Sequence, residues 1–245
     1  MSHEKESAAL PAFADARARE RINAGHIARG VILIDPQATY IDAEVRIGAG
    51  TVIYPGNVLE GRTVIGAGCT LLPGNRLRDA SLADGVTVEQ SVLTEASVGE
   101  GATVGPFAFL RPGSAIGAHC RIGDFVEVKN SAIGDRTKVS HLTYVGDSDL
   151  GEDINLGCGV VFVNYDGKKK HRTRVDDHAF IGCNVNLISP VRVGRAAYVA
   201  AGSTVTVDVP RNALLIARSR ETIKEGRGKV MLKEKKRQAR EAKRK

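Results

Sequence analysis

Aliphatic residues recur every six positions through most of the chain, and Gly, Ala or an acidic residue usually follows each of them. The clearest run is Val98, Val104, Leu110, Ile116, Ile122 and Val128, which resumes after a five-residue step at Ile133. A period of six matches neither an amphipathic helix nor a simply alternating strand. It is typical of a parallel β-helix, in which a short strand and a tight turn form each side of a three-sided coil. Because one coil cannot bury its own interior, the pattern predicts many stacked coils stabilised by their neighbours.

The same periodicity sets the expected domain boundaries. Residues 1–30 are predicted to form an N-terminal tail and a helical arm, because the stretch before Gly30 is rich in Ala and Arg and lacks Pro after position 11. The hexads occupy residues 31–210, with an interruption at 164–174, where the polar, basic sequence NYDGKKKHRTR predicts a loop that leaves the prism. Residues 211–245 are predicted to hold a terminal strand and a basic tail, helical or disordered. Loops that leave a rigid repeat often carry binding sites.

The positive charge of the chain is concentrated at its C-terminal end. The net charge is +7, but residues 217–245 contain 13 Lys or Arg and 4 Glu, so the remainder carries −2. The body is therefore not a basic protein, and nucleic acid is not an expected partner. No apolar run approaches the roughly 18 residues of a membrane span, and the first residues lack the basic-then-apolar order of a secretion signal. These features predict a cytoplasmic protein without a membrane span.

Several familiar catalytic and metal motifs are absent from the sequence. There is no GxxxxGK[ST] phosphate loop, no GxGxxG after a strand and no HExxH. The four cysteines show no CxxC pairing or fixed metal spacing, so reduced thiols without a catalytic role are expected. A zinc site at the edge of a prism would need a close pair of histidines and a third. The six histidines are not spaced in that way, so no metal is expected.

The segment KVSHLTYVGD carries the most informative histidine. His141 occupies the third place of its hexad, where side chains face outward rather than into the axis. Since one coil contains about 18 residues, residues 12 to 18 apart lie on the same or adjacent edges, within one chain or across two. This places six polar residues near a common surface: Arg111, Glu127, Lys129, His141, Tyr144 and Asn155. The set holds two cations for an anion, a carboxylate to orient an imidazole, the imidazole itself and neutral hydrogen-bonding groups for a polyol.

Seven segments resemble those of a known enzyme family in order and spacing: LRPGS, GDFVEVKNSAIG, SHLTYVGD, DINLGCG, NYDGKKKHRT, AAGSTVT and NALLIARSRETIKEG. They are similar to the acetyltransferase half of the bacterial bifunctional glucosamine-1-phosphate acetyltransferase/N-acetylglucosamine-1-phosphate uridylyltransferase. The likeness spans residues 16–226. It implies an all-β fold, a left-handed parallel β-helix, and a homotrimer whose active sites lie between subunits and use acetyl-CoA.

The resemblance also implies a role for individual residues. His141 corresponds to the catalytic base and Glu127 to the carboxylate that orients it. The positions that bind the sugar phosphate correspond to Arg111, Lys129, Tyr144, Asn155 and Lys170. The positions that line the coenzyme correspond to Cys158, Asn164, Tyr165, Cys183, Ala201 and Arg218. The expected reaction moves acetyl from acetyl-CoA to the amine of glucosamine 1-phosphate by direct attack.

The sequence departs from the family pattern in two respects. The family usually has Ala where this chain has Cys158 and Ser where it has Cys183, so a hydroxyl contact to the coenzyme is replaced by a thiol. The uridylyltransferase domain and its glycine-rich nucleotide loop are missing, so that activity is not expected, and a separate uridylyltransferase would have to supply it. Two alternatives stay open: a non-catalytic β-helix scaffold or regulatory homologue, and an acyltransferase for another amino sugar.

Overall fold

The chain folds into short strands that follow one another at nearly regular intervals between two helices. The computed structural model describes residues 11–242. A short 3-10 helix at Ala12–Ala14 precedes α1 (Ala16–Ala28), and α2 covers Arg227–Ala242. The strands are β1 (Ile32–Leu33), β2 (Tyr40–Ile41), β3 (Arg46–Ile47), β4 (Val52–Ile53), β5 (Val58–Glu60), β6 (Val64–Ile65), β7 (Thr70–Leu71), β8 (Arg76–Arg78), β9 (Ser81–Leu82), β10 (Thr87–Val88), β11 (Val92–Thr94), β12 (Ser97–Val98), β13 (Thr103–Val104), β14 (Phe109–Leu110), β15 (Ala115–Ile116), β16 (Arg121–Asp124), β17 (Glu127–Lys129), β18 (Ala132–Ile133), β19 (Lys138–His141), β20 (Tyr144–Gly146), β21 (Ser148–Leu150), β22 (Asn155–Leu156), β23 (Val161–Val163), β24 (Thr173–Val175), β25 (Phe180–Ile181), β26 (Asn186–Ile188), β27 (Arg192–Val193), β28 (Tyr198–Val199), β29 (Thr204–Val205) and β30 (Leu214–Leu215).

Every third strand belongs to the same sheet, and this produces a three-sided prism. Sheet 1 contains β1, β4 and so on to β28, followed by β30; sheet 2 runs from β2 to β29, and sheet 3 from β3 to β27. All of the pairings between these strands are parallel, as in β16 with β19 and β17 with β20. The prediction of a left-handed parallel β-helix of hexapeptide repeats is confirmed.

The aliphatic residue of each hexad points into the prism and forms its core. Ile41, Ile53, Leu59 and Leu110 are fully buried, while the strand residue before each of them is partly or fully exposed. Because these aliphatic side chains stack on one another, the interior is a column rich in Val, Ile and Leu that continues from coil to coil. Burial of these side chains is the main favourable contribution to stacking.

Helix α1 covers the first coils rather than continuing the prism. It begins at Asp15, whose carboxylate accepts a hydrogen bond from the backbone N–H of Ala18 at 2.7 Å, as expected of an N-cap. One face of the helix buries Asn23 and His26. The Asn23 side-chain amide donates to the carbonyl oxygens of Pro36 and Thr39, which fixes the helix against the turn that leads into the first coil.

The loop interrupting the hexads is two residues shorter than the sequence predicts. The chain leaves sheet 2 after Val163 and rejoins sheet 3 in β24, which begins at Thr173, so the excursion covers residues 164–172 rather than 164–174. A bridge between Tyr165 and Lys170 closes the loop. The Asp166 carboxylate accepts hydrogen bonds from His171 and from the backbone of Lys169 and Lys168, and these lower the pKa of Asp166 to about 2.

The C-terminal region ends the prism and then leaves it. β30 pairs with β28 as the last strand of sheet 1. Beyond it, α2 is exposed along its whole described length and has no buried residue. Within residues 11–242, neither helix combines the length and the apolar character required to cross a bilayer.

Three corners connect the sheets, and two of them hold most of the candidate site residues. The first corner, between sheets 1 and 2, includes residues 125–126, 142–143, 157–160, 182–185 and 200–203. The second corner, between sheets 2 and 3, includes residues 111–114, 130–131, 147 and the loop at 164–172. Around His141 one coil takes 17 residues, because the register pairs Asp124 with His141.

Candidate active site

His141 stands at the first corner, directly above an aspartate of the preceding coil. It ends β19, and Asp124, which ends β16, is its partner in the register of sheet 1. The His141 Nδ1 and the Asp124 Oδ1 are 2.5 Å apart, and about half of the histidine side chain is exposed. The hydrogen bond to His141 is the main reason that the pKa of Asp124 lies below its usual value. An ionised carboxylate can only accept, so Nδ1 carries the proton and Nε2 is available when the ring is neutral.

Glu127 makes no hydrogen bond or ion pair with His141 within the chain, although the resemblance assigns it the orienting role. Its carboxylate accepts a hydrogen bond from Arg111 Nη1 at 2.7 Å. The reason is positional. Glu127 begins β17 in sheet 2, past the corner, where the register pairs it with Tyr144 rather than with His141.

Three cationic side chains gather on sheet 2 and the adjoining loop. Lys129 ends β17, and Lys170 reaches it from the loop at 164–172. The neighbouring Lys170 ammonium, aided by desolvation, lowers the pKa of Lys129, and the charge of Arg111 acts in the same direction. Two ammonium groups held together with a guanidinium nearby form a site for an anion, and phosphate is one that such groups bind well.

A buried aspartate organises the polar residues around this cationic cluster. Asp147 accepts hydrogen bonds from the side-chain amides of Asn130 at 2.6 Å and Asn164 at 2.5 Å. Desolvation of Asp147 opposes its ionisation, but these two hydrogen bonds and the charges of Lys129 and Lys170 outweigh it, so its pKa is lowered. The carboxylate therefore stays charged and helps to hold the cluster together.

Tyr144 and Asn164 meet above a glycine that leaves no space for a side chain. The amide nitrogen of Asn164 lies 3.3 Å from the Tyr144 hydroxyl. A Cβ built on Gly146 would overlap that hydroxyl and come within 2.7 Å of the Asn164 amide nitrogen. The glycine is thus part of what positions both side chains.

The residues assigned to the coenzyme fall into two groups. Cys158, Cys183 and Ala201 occupy equivalent places in successive turns of the first corner. The N–H of Asn184 donates to Cys158 O, and the N–H of Gly202 donates to Cys183 O, both at 2.8 Å. The turn at Cys158 stacks directly on His141 of the preceding coil, because the N–H of Gly159 donates to the His141 carbonyl oxygen. We call Asp124, His141, Cys158, Cys183 and Ala201 the first-corner column.

The remaining candidates lie at different places on the prism. Arg218 extends the first-corner column, since its Cδ lies 3.6 Å from where a Cβ on Gly202 would stand. Asn164 and Tyr165 lie instead in the loop of the second corner. Asn155 is on sheet 1, paired with Lys138 and Phe180. A single chain therefore does not bring all of the predicted residues to one surface.

The described residues offer no clear place for a metal. Within residues 11–242, no three His, Cys, Asp or Glu side chains are grouped closely enough to hold an ion. The chemistry available at this site comes from the imidazole, the carboxylates and the cations already described.

Comparison with known proteins finds similarity to a hexapeptide-repeat family and to bacterial GlmU proteins. The family described as "Bacterial transferase hexapeptide (six repeats)" matches residues 95–130. A bifunctional protein GlmU from Acetivibrio thermocellus is 58% identical over 207 residues, which cover 84% of this chain and 45% of that protein. A bifunctional protein GlmU from Brevibacillus brevis is 52% identical over 211 residues, covering 86% and 46% respectively. The chain is similar to the C-terminal half of GlmU proteins and carries hexapeptide repeats.

The match to GlmU is to its C-terminal half, and the chain spans about half the length of the curated relatives it matches. The resemblance described from the sequence is thereby confirmed. Among solved structures, a UDP-N-acetylglucosamine acyltransferase from Francisella novicida aligns with 76% of this chain and 67% of its own, with a TM-score of 0.53 and 19% identity. At that identity the likeness concerns the fold alone.

Sequence reasoning missed three residues of this site: Asp124, Asp147 and Gly146. The signal for the two aspartates was present in the spacing, because Asp124 lies 17 residues before His141 and Asp147 lies 17 residues from both Asn130 and Asn164. The five-residue step before Ile133 shortens the coil from 18 residues to 17, so the residue beneath His141 is Asp124. No comparable signal identifies Gly146, whose importance depends on the side chains of Tyr144 and Asn164.

Proposed function

We propose that the chain transfers the acetyl group of acetyl-CoA to the amine of glucosamine 1-phosphate, with His141 as the general base. The observation that carries this proposal is the arrangement around the first corner. A carboxylate-bound histidine with an available Nε2 stands three residues before Tyr144, which begins the strand next to the cationic cluster. This arrangement supports a reaction in which an anionic substrate is held on sheet 2 and a proton is taken at the corner.

The chemistry requires one proton to move in two stages. The neutral amine attacks the thioester carbonyl carbon, and the nitrogen loses a proton to His141 Nε2 as the new C–N bond forms. The C–S bond then breaks, and the protonated imidazole returns the proton to the departing thiolate of coenzyme A. General bases of this kind contribute about 10²- to 10⁴-fold to rate. Direct attack involves no covalent enzyme intermediate and no metal.

The cationic cluster, with Tyr144 and Asn155, would bind the sugar phosphate. Arg111, Lys129 and Lys170 supply the positive charge for the 1-phosphate, and Tyr144 and Asn155 supply hydrogen bonds for the sugar. Fixing the phosphate orients the amine relative to the thioester. The translational and rotational entropy is then lost on binding rather than in the reaction step, which lowers the barrier. The first-corner residues Cys158, Cys183 and Ala201, with Arg218, Asn164 and Tyr165, would line acetyl-CoA.

A homotrimer with sites between subunits is the assembly that would complete this site. Asn155, on sheet 1, and the loop residues Asn164 and Tyr165, at the second corner, lie on different sides of one prism. Apolar side chains also project beside the histidine: Phe107, Phe125 and Leu142 are each at least half exposed, and the first two stack with ring centroids 5.4 Å apart. Such a patch supports coverage by a second copy of the chain.

The proposal is tested by measuring the product formed from several amino sugars. The purified protein is incubated with acetyl-CoA and glucosamine 1-phosphate, glucosamine, or galactosamine 1-phosphate, and the N-acetylated product is identified by mass spectrometry. We expect turnover with glucosamine 1-phosphate to exceed that with glucosamine, because the cationic cluster binds the phosphate. Preference for a different amino sugar would favour another acyltransferase specificity. No release of coenzyme A with any of them would indicate a non-catalytic scaffold.

A further inference from the structure

Asp124 has no role in the assignments carried over from the family resemblance, yet its carboxylate is hydrogen-bonded to the His141 ring. We propose that Asp124 is the positioning residue that holds the His141 ring in the tautomer with Nδ1 protonated and Nε2 free. This role rests on the proposed acetyl transfer, because the free Nε2 is the atom that would accept the proton of the amine. Asp124 does not touch substrate in this account and acts only through His141.

Backbone register fixes the pair. Asp124 and His141 end adjacent parallel strands and are direct partners across them, so the two side chains leave successive coils at the same position of the first corner, one above the other. Two pairs that precede it in the same strands are also matched: Arg121 with Lys138, and Ile122 with Val139. An in-register pair on two strands that each bury an aliphatic residue in the core has little freedom to slide, which suits a contact that must set the orientation of a ring.

The other nearby carboxylate is already engaged. Glu127 pairs with Arg111, and its strand neighbour is Tyr144. The charged groups around the Asp124–His141 pair include Arg121 on the strand of Asp124 and Lys138 on the strand of His141, and Arg121 stabilises the ionised form of Asp124. Asp124 is thus the carboxylate available to accept from Nδ1–H, and its lowered pKa is consistent with that bond.

The pair should aid the reaction in two ways. A hydrogen bond from Nδ1–H to a carboxylate presents the unprotonated Nε2, and the negative charge stabilises the imidazolium that forms when Nε2 takes the proton. A buried aspartate in this role is worth roughly 10⁴-fold in the serine protease triad. About a third of the Asp124 side chain is exposed, so water weakens the charge effect. We expect a smaller contribution of roughly 10- to 100-fold in kcat.

The test compares Asp124→Asn with a matched control, Asp153→Asn. Asp153 is also an aspartate facing a histidine of the next coil, His178, but it lies at the corner between sheets 3 and 1. Acetyl transfer to glucosamine 1-phosphate is measured for both variants, with kcat and KM separated. The tautomer of His141 is read at pH 8 from imidazole ¹⁵N chemical shifts of histidine-labelled protein, with His141→Ala used to assign its signals.

The expected result is a fall in kcat for Asp124→Asn, with little change in KM for either substrate, and a shift of the His141 signals from the Nδ1–H form toward a mixture of tautomers. Asp153→Asn should change neither. Wild-type tautomer signals in Asp124→Asn, or a kcat within twofold of wild type, would overturn the proposal. If the wild-type protein itself transfers no acetyl group, the proposed function fails, while the tautomer measurement still decides whether Asp124 sets the state of His141.

Discussion

At the scale of single residues, Gly146 leaves space for two side chains of the candidate site. It sits in β20 beside Lys129 in the register, and the Tyr144 hydroxyl and Asn164 amide occupy the volume that a Cβ would need. Both obstructing groups are ends of side chains rather than backbone. The prism can therefore accept a methyl group only by displacing the two side chains that are expected to face the substrate.

Replacing Gly146 with Ala should impair substrate binding without unfolding the protein. We expect kcat/KM for glucosamine 1-phosphate to fall roughly 10- to 100-fold, which is the typical cost of misplacing groups by about 1 Å. Steady-state kinetics and thermal unfolding measure the two effects. Gly25→Ala is the matched control, because a Cβ there meets only the end of the Arg29 side chain, at 3.6 Å, and lies within helix α1. Equal kinetics in the two variants would contradict the role given to Gly146.

At the scale of elements, α1 buries a histidine whose pKa is lowered. His26 is almost fully buried, and its Nδ1 lies 3.1 Å from an Arg29 guanidinium nitrogen. Burial and the Arg29 charge lower the pKa of His26 to about 4. The unfolded chain, with a histidine pKa near 6.5, binds more protons than the folded one between these values. Stability contributed at this position is fully present above about pH 6.5 and is lost as the pH falls toward 4.

The lowered pKa of His26 predicts that α1 becomes less stable on mild acidification. The difference between the two pKa values corresponds to on the order of 3 kcal/mol across the interval. Hydrogen-exchange protection of α1 amides, corrected for intrinsic exchange, should fall between pH 7 and pH 4.5. The pKa values of Asp124, Asp147 and Asp166 are lowered, so these carboxyl groups affect stability only below the ordinary aspartate pKa of about 4. His26→Leu should remove most of this dependence, and an unchanged dependence in that variant would refute the explanation.

The sequence predicted the elements of the prism well and the contacts of the site less well. The hexads determine which residue of each strand is buried, so the β-helix follows from periodicity alone. Side-chain partners depend on coil length, and a coil of 17 rather than 18 residues puts Asp124 instead of Gly123 beneath His141, while Glu127 lies past the corner, paired with Tyr144. The loop provides a further example, because Thr173 and Arg174 look polar and yet pair with Ser148 and Asp149 as part of sheet 3. Polar composition could not show that they rejoin the ladder.

At the scale of the whole molecule, the proposed trimer has a consequence that separate subunits would not share. If the site combines His141 and the cationic cluster of one subunit with Asn155 of its neighbour, two impaired variants should rescue one another when mixed. We expect trimers reassembled from His141→Ala chains and Asn155→Ala chains to contain roughly one intact site in four. Activity near a quarter of wild type after co-refolding would agree with sites between subunits. No recovery, with trimers present by light scattering, would place both groups in one chain.

The central claim is that His141 takes the proton during acetyl transfer, and the most direct measurement is the turnover of His141→Ala. Acetyl transfer to glucosamine 1-phosphate is followed by release of coenzyme A, while the binding of acetyl-CoA and the oligomeric state are measured on the same preparation. The side chain is exposed at a corner and contributes nothing to the core, so the fold should persist. We predict a fall in kcat of about 10²- to 10⁴-fold with binding and assembly unchanged. Turnover close to wild type would contradict the account.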